Sequence, residues 1–235
     1  MSFFQDVINI VAKYYPQLLS GVGNTMLIAL TGTVAGLAIG LLTGIVRTAP
    51  FSRNGFVRVL HKILNAVIAV YVEIFRGTPM MVQAMVIYWG YAFASGGNTL
   101  PLIPSGILIV SVNTGAYMAE IVRGGLMSVN PGQMEAGRSL GLNYAQTMRL
   151  IVIPQAIKNI LPALGNEMIT LLKDTSLVSV IALRDVTKQA QNIVSNTYQA
   201  YVPYVSLAII YLVLVIILTK LLGIFERRLR ESDRR

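Results

Sequence analysis

Cysteine is absent from this sequence, which removes disulfides, thiolate metal sites and cysteine nucleophiles while leaving the compartment open. Histidine occurs once, as His61 among Arg58 and Lys62, so no histidine cluster exists to hold a metal, and a solvent or headgroup contact suits this residue better than a ligand role. Charge is scarce too. Only 12% of residues are charged against 54% hydrophobic, too little polar surface to coat a soluble core. No Walker-type G-x-x-x-x-G-K loop is present, so the chain lacks that means of hydrolysing ATP alone. The first twenty residues have neither a basic start nor a small-residue cleavage site, and no processing is expected.

What the sequence has in abundance is long apolar runs. Residues 22–46 carry no charge and are long enough to cross the hydrocarbon of a bilayer. Gly32, Gly36, Gly40 and Gly44 recur there at every fourth position, a stripe that lets a second helix approach closely in lipid. Ahead of that run, Phe3, Phe4, Val7, Ile8 and Val11 at helical spacing predict a separate amphipathic helix over residues 1–20, lying at the external interface. The next apolar stretch, residues 63–94, is interrupted by Glu73, Arg76, Gly77, Thr78 and Pro79 and is too long for one crossing. It predicts a helix near the membrane surface, then a span over 78–95 that Thr78 caps and Pro79 opens, with Glu73 and Arg76 paired at three-residue spacing.

Spans follow over residues 105–122, 158–182 and 204–225. In the first of these, Asn113, Tyr117 and Glu120 fall on one helical stripe beside Thr114. A carboxylate at that depth is costly unless it meets protein, water or a cation, so the stripe is either a solute site or a structural polar seam shared with Arg123. Residues 158–182 hold Gly165, Asn166, Glu167, Thr170, Lys173 and Asp174, too polar a set to face lipid; this span must be enclosed or line a wet path. Gln83 is a weaker candidate for solute contact.

The net charge of +9 would suggest nucleic acid in a soluble protein; here it reads as topology, with lipid as the partner and no nucleic acid. Arg47, Arg53, Arg58 and Lys62, then Arg123, Arg138, Arg149 and Lys158, then the tail arginines Arg227, Arg228, Arg230, Arg234 and Arg235 all fall on one side of a five-span arrangement. Lys13, Arg184 and Lys188 fall on the other. The positive-inside rule therefore puts the N-terminus outside, and residues 226–235 become a basic cytoplasmic tail.

Between the third and fourth spans lies the most polar internal block, NPGQMEAGRSLGLNYAQTMRLIVIP, residues 130–154. Asn130 suits a cap, Pro131 the first helical position and Gly141 a left-handed stop; Asn143 suits a second cap, and Pro154 marks the interruption of the second helix. The block predicts a cytoplasmic elbow of two short helices.

The order Glu135, Ala136, Gly137, then Gly141, Ile151, Ile153 and Pro154 resembles the EAA loop of permeases of binding-protein-dependent ABC importers. The third position of that motif is usually alanine and here is Gly137. Beyond the elbow, EIFRGTP, NTGAYMAEIVRGG, PQAIKNILPALGNE and LLKDTSLVSVI resemble the polar amino acid subfamily, so the likeness covers almost the whole chain. It implies an all-α membrane protein with the type I importer permease fold, spanning residues 21–225. The assembly it implies has two permeases (two copies, or one with a sister permease), two ATP-binding subunits that hold ATP and Mg, and an extracytoplasmic amino-acid-binding protein, all in a bacterial cytoplasmic membrane. No cofactor is expected in this chain, which translocates and does not catalyse. Carried over by position, the docking segment is Glu135, Ala136, Gly137, Arg138, Ser139, Leu140 and Gly141, and the solute chamber falls near Asn113, Thr114, Tyr117, Glu120, Gly165, Asn166 and Glu167.

The chemistry agrees with such a cargo, because an α-amino acid needs an acceptor such as Glu120 beside neutral donors such as Asn113, Tyr117 and Asn166. The expected solute is a basic or glutamine-like amino acid; the alternative is another small solute, such as an osmoprotectant. A secondary carrier would need repeated halves, which five spans do not divide into. A membrane enzyme would need a nucleophile with an oriented base, and none is evident.

Overall fold

The computed structural model describes residues 3–52 and 54–232, with the side chains of Phe3, Glu226 and residues 228–232 left out of account. Of the expected cytoplasmic arginines, Arg53, Arg234 and Arg235 therefore lie outside the described residues. The helices are α1 (Phe3–Thr48), α2 (Gly55–Gly77), α3 (Met80–Ala94), α4 (Leu102–Met127), α5 (Pro131–Ser139), α6 (Tyr144–Thr147), α7 (Ile153–Asp174), α8 (Val186–Thr197) and α9 (Tyr201–Ser232). A π-helical turn, Met148–Val152, joins α6 to α7, and a 3-10 segment, Thr175–Ile181, follows α7. Contacts divide the chain into two compact units, one of Met1–Val34, Thr78–Ser111 and Met168–Arg235, the other of Ala35–Gly77 and Val112–Glu167.

In the second unit the glycine stripe does what its spacing predicts. A Cβ on Gly36 would stand 2.8 Å from the Thr114 side chain, one on Gly40 would run into Met118, and one on Gly44 would stand 2.7 Å from Val122. Each step of four on α1 meets a step of four on α4, so the two helices run parallel with their backbones in close approach. In the first unit Gly32 continues the pattern: a Cβ there would stand 2.5 Å from the Val110 side chain.

Parallel packing has a topological consequence. For α1 and α4 to point the same way, the chain between them must return once, and that stretch holds α2 and α3. Here the structure differs from the expected surface helix followed by a span at 78–95. With 15 residues, α3 is about 22 Å long, short of the roughly 30 Å hydrocarbon core. Meanwhile α2 lies lengthwise along its neighbours: His61 bonds the Val46 carbonyl at 2.9 Å, Tyr71 donates to the Val112 carbonyl at 2.6 Å, and Asn113 reaches the Phe75 carbonyl at 3.4 Å. Pro79 opens a helix as expected, and the apolar residues ahead of it form α2, which is long and apolar enough to cross a membrane.

Four described helices are long and apolar enough to cross a membrane: α1, α2, α4 and α9. A break near residue 20 is also absent, since α1 is continuous through Pro16, and Ile10 and Leu18 pack with Val186 and Ile193 of α8 instead of resting on an interface alone. The expected fourth span begins earlier than residue 158, because α6 and the π turn run on into α7.

The first unit has a core of Ile28, Met80, Ala84, Tyr88, Ile109, Val110 and neighbours from residues 171–183. Asp185 caps α8 there, its carboxylate accepting from the Lys188 N–H at 2.8 Å while fully buried. Burial pushes this carboxyl above the usual aspartate range, with the N–H bonds opposing. A raised folded-state value means the carboxyl favours the fold in its protonated form: that contribution is complete below about pH 4 and fades as pH climbs through the raised value. Asp185→Asn keeps a capping oxygen and does not titrate. Its melting temperature relative to wild type is expected to climb from pH 4 to 8 in a thermal scan, whereas a constant difference would contradict the assignment.

Candidate functional site

The elbow is built by local chemistry. Asn130 Oδ1 accepts from the Gly132 N–H at 2.8 Å and Pro131 occupies the first position of α5. At the other end Gly141 has φ +82°, Gly141 N–H donates to Arg138 and Leu142 N–H to Gly137, closing the helix with its orphan carbonyls satisfied. Asn143 and Gln146 then form a reciprocal capping box, both bonds at 2.9 Å. Pro154 supplies no N–H for the Leu150 carbonyl, and the π turn immediately before it widens the ladder where that bond is missing.

Six of the seven expected docking residues face outward. Glu135, Ala136, Arg138, Ser139, Leu140 and Gly141 are exposed, Leu140 at 79%. The seventh, Gly137, is buried at the crossing of the elbow's two arms, where a Cβ would sit 2.5 Å from Thr147 Cγ2 and 3.2 Å from Ile151. This explains the need for a small third residue and why glycine stands where alanine is usual. Gly137→Leu is expected to splay the arms at a cost of about 1–3 kcal/mol, read as a lower melting temperature with membrane insertion retained. A melting temperature equal to that of wild type would contradict the geometry.

The expected solute residues separate by environment. Thr114 is fully buried against Gly36, and Asn113 is nearly so, its amide donating to the Phe75 carbonyl at 3.4 Å. Tyr117 lies beneath Arg76, whose guanidinium carbon is 5.7 Å from the ring centre. Gly165 and Glu167 are half-buried and Asn166 is exposed on α7.

Glu120 is a hub. One carboxylate oxygen pairs with Arg47; the other accepts from Arg123 at 2.7 and 3.0 Å and lies 4.0 Å from Arg76. Only 18% of its side chain is exposed. Three guanidiniums around one carboxylate leave a residual positive charge, so the hub suits an anionic group better than an ammonium. The expected pair of Glu73 with Arg76 does not form among the described residues, because Arg76 turns to Glu120. The sequence places Arg47 among the cytoplasmic charges and Arg76 beside Glu73 but does not show either as a partner of Glu120: they are 73 and 44 positions from it, and no local spacing links them. The only hint was that Arg47 ends an apolar run.

No group of three or more His, Cys, Asp or Glu side chains that could hold a metal gathers among the described residues. Tyr144, on the elbow's second arm, has a phenol raised above its usual range by burial.

Comparison with known proteins agrees with this architecture. Residues 36–231 match the family described as "Binding-protein-dependent transport system inner membrane component". The chain is 36% identical over 215 residues to the glutamine transport system permease protein GlnP of Escherichia coli (strain K12), covering 92% of this chain and 94% of that one. It is 34% identical over 218 residues to the arginine transport system permease protein ArtQ of Bacillus subtilis (strain 168), covering 93% and 94%. Among solved structures, an amino acid ABC transporter crystallised with histidines superposes with TM-score 0.81 at 39% identity, covering 97% and 99%. The MetNI methionine ABC transporter shares the fold, with TM-score 0.73 at 20% identity and coverage of 92% and 97%. The chain therefore belongs to the inner-membrane components of binding-protein-dependent transport systems: it is the permease subunit of an ABC importer, whose ATP hydrolysis is carried by a separate subunit.

Proposed function

We propose that this permease carries a polar amino acid, basic or glutamine-like, into the bacterial cytoplasm. The observation that bears most weight is the elbow: a capped pair of helices between α4 and α7 in the chain, with Glu135 to Gly141 turned outward save for Gly137. The glutamine and arginine permeases that resemble this chain over nearly its full length support the solute class. Two copies of the ATP-binding subunit, holding ATP and Mg, dock on two elbows. Those elbows belong to a permease pair, either two copies of this chain or this chain with a sister permease. An extracytoplasmic binding protein delivers the amino acid. The N-terminus is outside and the C-terminus cytoplasmic. Nucleotide binding favours one arrangement of the ATP-binding subunits, and the seated elbow transmits that preference to the spans. Among the residues considered for solute contact, Tyr117, Glu120, Gly165, Asn166 and Glu167 keep some exposure, whereas Asn113 and Thr114 are buried.

The test is uptake and ATPase activity of the reconstituted assembly with Glu135→Ala or Gly141→Asp. Aspartate at φ +82° is strained by about 1–2 kcal/mol, and its charge falls on the docking surface. Both variants are expected to insert normally and to lose the coupling between hydrolysis and uptake. Wild-type uptake by Gly141→Asp would overturn the coupling role.

A further inference from the structure

An apolar cavity of about 390 Å³ undercuts the elbow within the second unit. Its walls include Leu41 and Ile45 of α1, Val122 and Leu126 of α4, and Ile153 and Ile157 of α7. Four of these six, Leu41, Ile45, Ile153 and Ile157, are also exposed, so the cavity opens sideways onto apolar surface and not into a polar vestibule. At one end stand Tyr144 and Arg149. Arg149 is exposed and has no ion-pair partner among the described residues, whereas the partly buried Arg47 and Arg123 converge on Glu120. A second cavity, of about 190 Å³, shares Thr48, Leu126, Tyr144 and Met148 with the first and extends beneath Asn130 and Pro131 of α5. The elbow thus rests on a hollow with greasy walls and the Arg149 cation at its lip.

We propose that this hollow holds an acyl chain of an anionic phospholipid, with Arg149 bonded to the headgroup phosphate and the Tyr144 ring at the boundary between tail and headgroup. An apolar cavity open to hydrocarbon fills with hydrocarbon, and an amphipathic ring beside a guanidinium matches the step from acyl chain to phosphate. Under the orientation given above, the lipid belongs to the cytoplasmic leaflet. It would buttress the elbow from the membrane side, which makes the stiffness of the coupling element depend on lipid headgroup charge. The site goes beyond the transport reading and does not depend on which solute is carried.

The test is native mass spectrometry of the full-length permease purified with its ATP-binding subunit in mild detergent, titrated with dioleoyl-phosphatidylglycerol or dioleoyl-phosphatidylethanolamine. Wild type is expected to retain one phosphatidylglycerol per permease at about fivefold lower lipid concentration than the zwitterionic lipid, the increment of one arginine at a membrane surface. Arg149→Gln is expected to erase that preference while keeping weaker retention of both lipids. Ala145→Trp, which fills the cavity, should reduce retention of both. Val67→Trp, on an exposed apolar stretch of α2, should change neither and serves as the control for general bulk. The proposal is overturned if Arg149→Gln keeps the headgroup preference, if Ala145→Trp retains lipid like wild type, or if a photo-crosslinker at position 153 captures a second permease in place of lipid. Because lipid retention is read without transport, failure of this site and failure of the coupling role are separate results.

Discussion

Gly40→Leu is expected to abolish assembly of the permease in the membrane, the largest effect of any single substitution in the glycine stripe. The Cβ of any residue at position 40 runs into the Met118 Cβ and lies 2.8 and 2.9 Å from the Met118 carbonyl carbon and the Ala119 nitrogen. A side chain could swing aside; backbone of a packed helix cannot. The whole α1–α4 contact would have to open, and with it the register that sets Thr114 and Val122 against Gly36 and Gly44. In lipid no hydrophobic force draws two helices together, so loss of close packing is not offset elsewhere. A cost above the usual overpacking range of about 1–3 kcal/mol is expected, enough to remove the folded protein from membranes. Gly23, whose Cβ would meet nothing within 4 Å, is the control: Gly23→Ala should match wild type or exceed it slightly through higher helix propensity. Membrane yield and melting temperature of both variants check the pair. A Gly40→Leu protein that melts with wild type would mean that α1 and α4 do not pack as described.

Glu120→Gln is expected to weaken the fold before it touches solute. The substitution leaves Arg47, Arg76 and Arg123 gathered around a neutral amide, three like charges with one acceptor oxygen. Removing one partner of a buried ion pair costs about 3–5 kcal/mol; with the arginines 22–45% exposed to solvent the expected loss is nearer 2–3 kcal/mol. A second change decides between a structural hub and a solute contact. Glu120→Gln with Arg47→Gln removes a repelling charge, so a hub recovers part of the lost stability, about 1 kcal/mol. If the double variant is as unstable as the sum of the singles while solute-stimulated ATPase alone collapses, Glu120 acts on the solute directly.

These two sites also mark where sequence reading succeeds and where it stops. The elbow was legible nearly to the residue because caps, the proline opening and the left-handed glycine act over three or four neighbours: Asn130, Pro131, Gly141 and Asn143 all take the roles their types suit. The glycine stripe announced close helix packing, since spacing of four is visible in one dimension. It could not name the facing helix, which lies about 78 positions later in the chain. Long-range electrostatics were hidden for the same reason. Glu73 and Arg76 offered a local pair that satisfied helical spacing, yet a hub joined by Arg47 and Arg123 captures Arg76 instead. Pro79 marks a helix start, as its type suits, but a cap carries no information about length, and the 15 residues of α3 fall short of the hydrocarbon thickness.

The elbow is where force from the ATP-binding subunit is proposed to enter the permease. A chain without cysteine allows that to be tested with a single thiol, Ser139→Cys, on the exposed outer turn of α5. In vesicles containing the whole transporter, a short bifunctional maleimide is expected to join the introduced thiol to the ATP-binding subunit, with the yield changing on addition of ATP. No cross-link, together with labelling of the same thiol by a membrane-impermeant maleimide in intact cells, would place the elbow outside and contradict its coupling role.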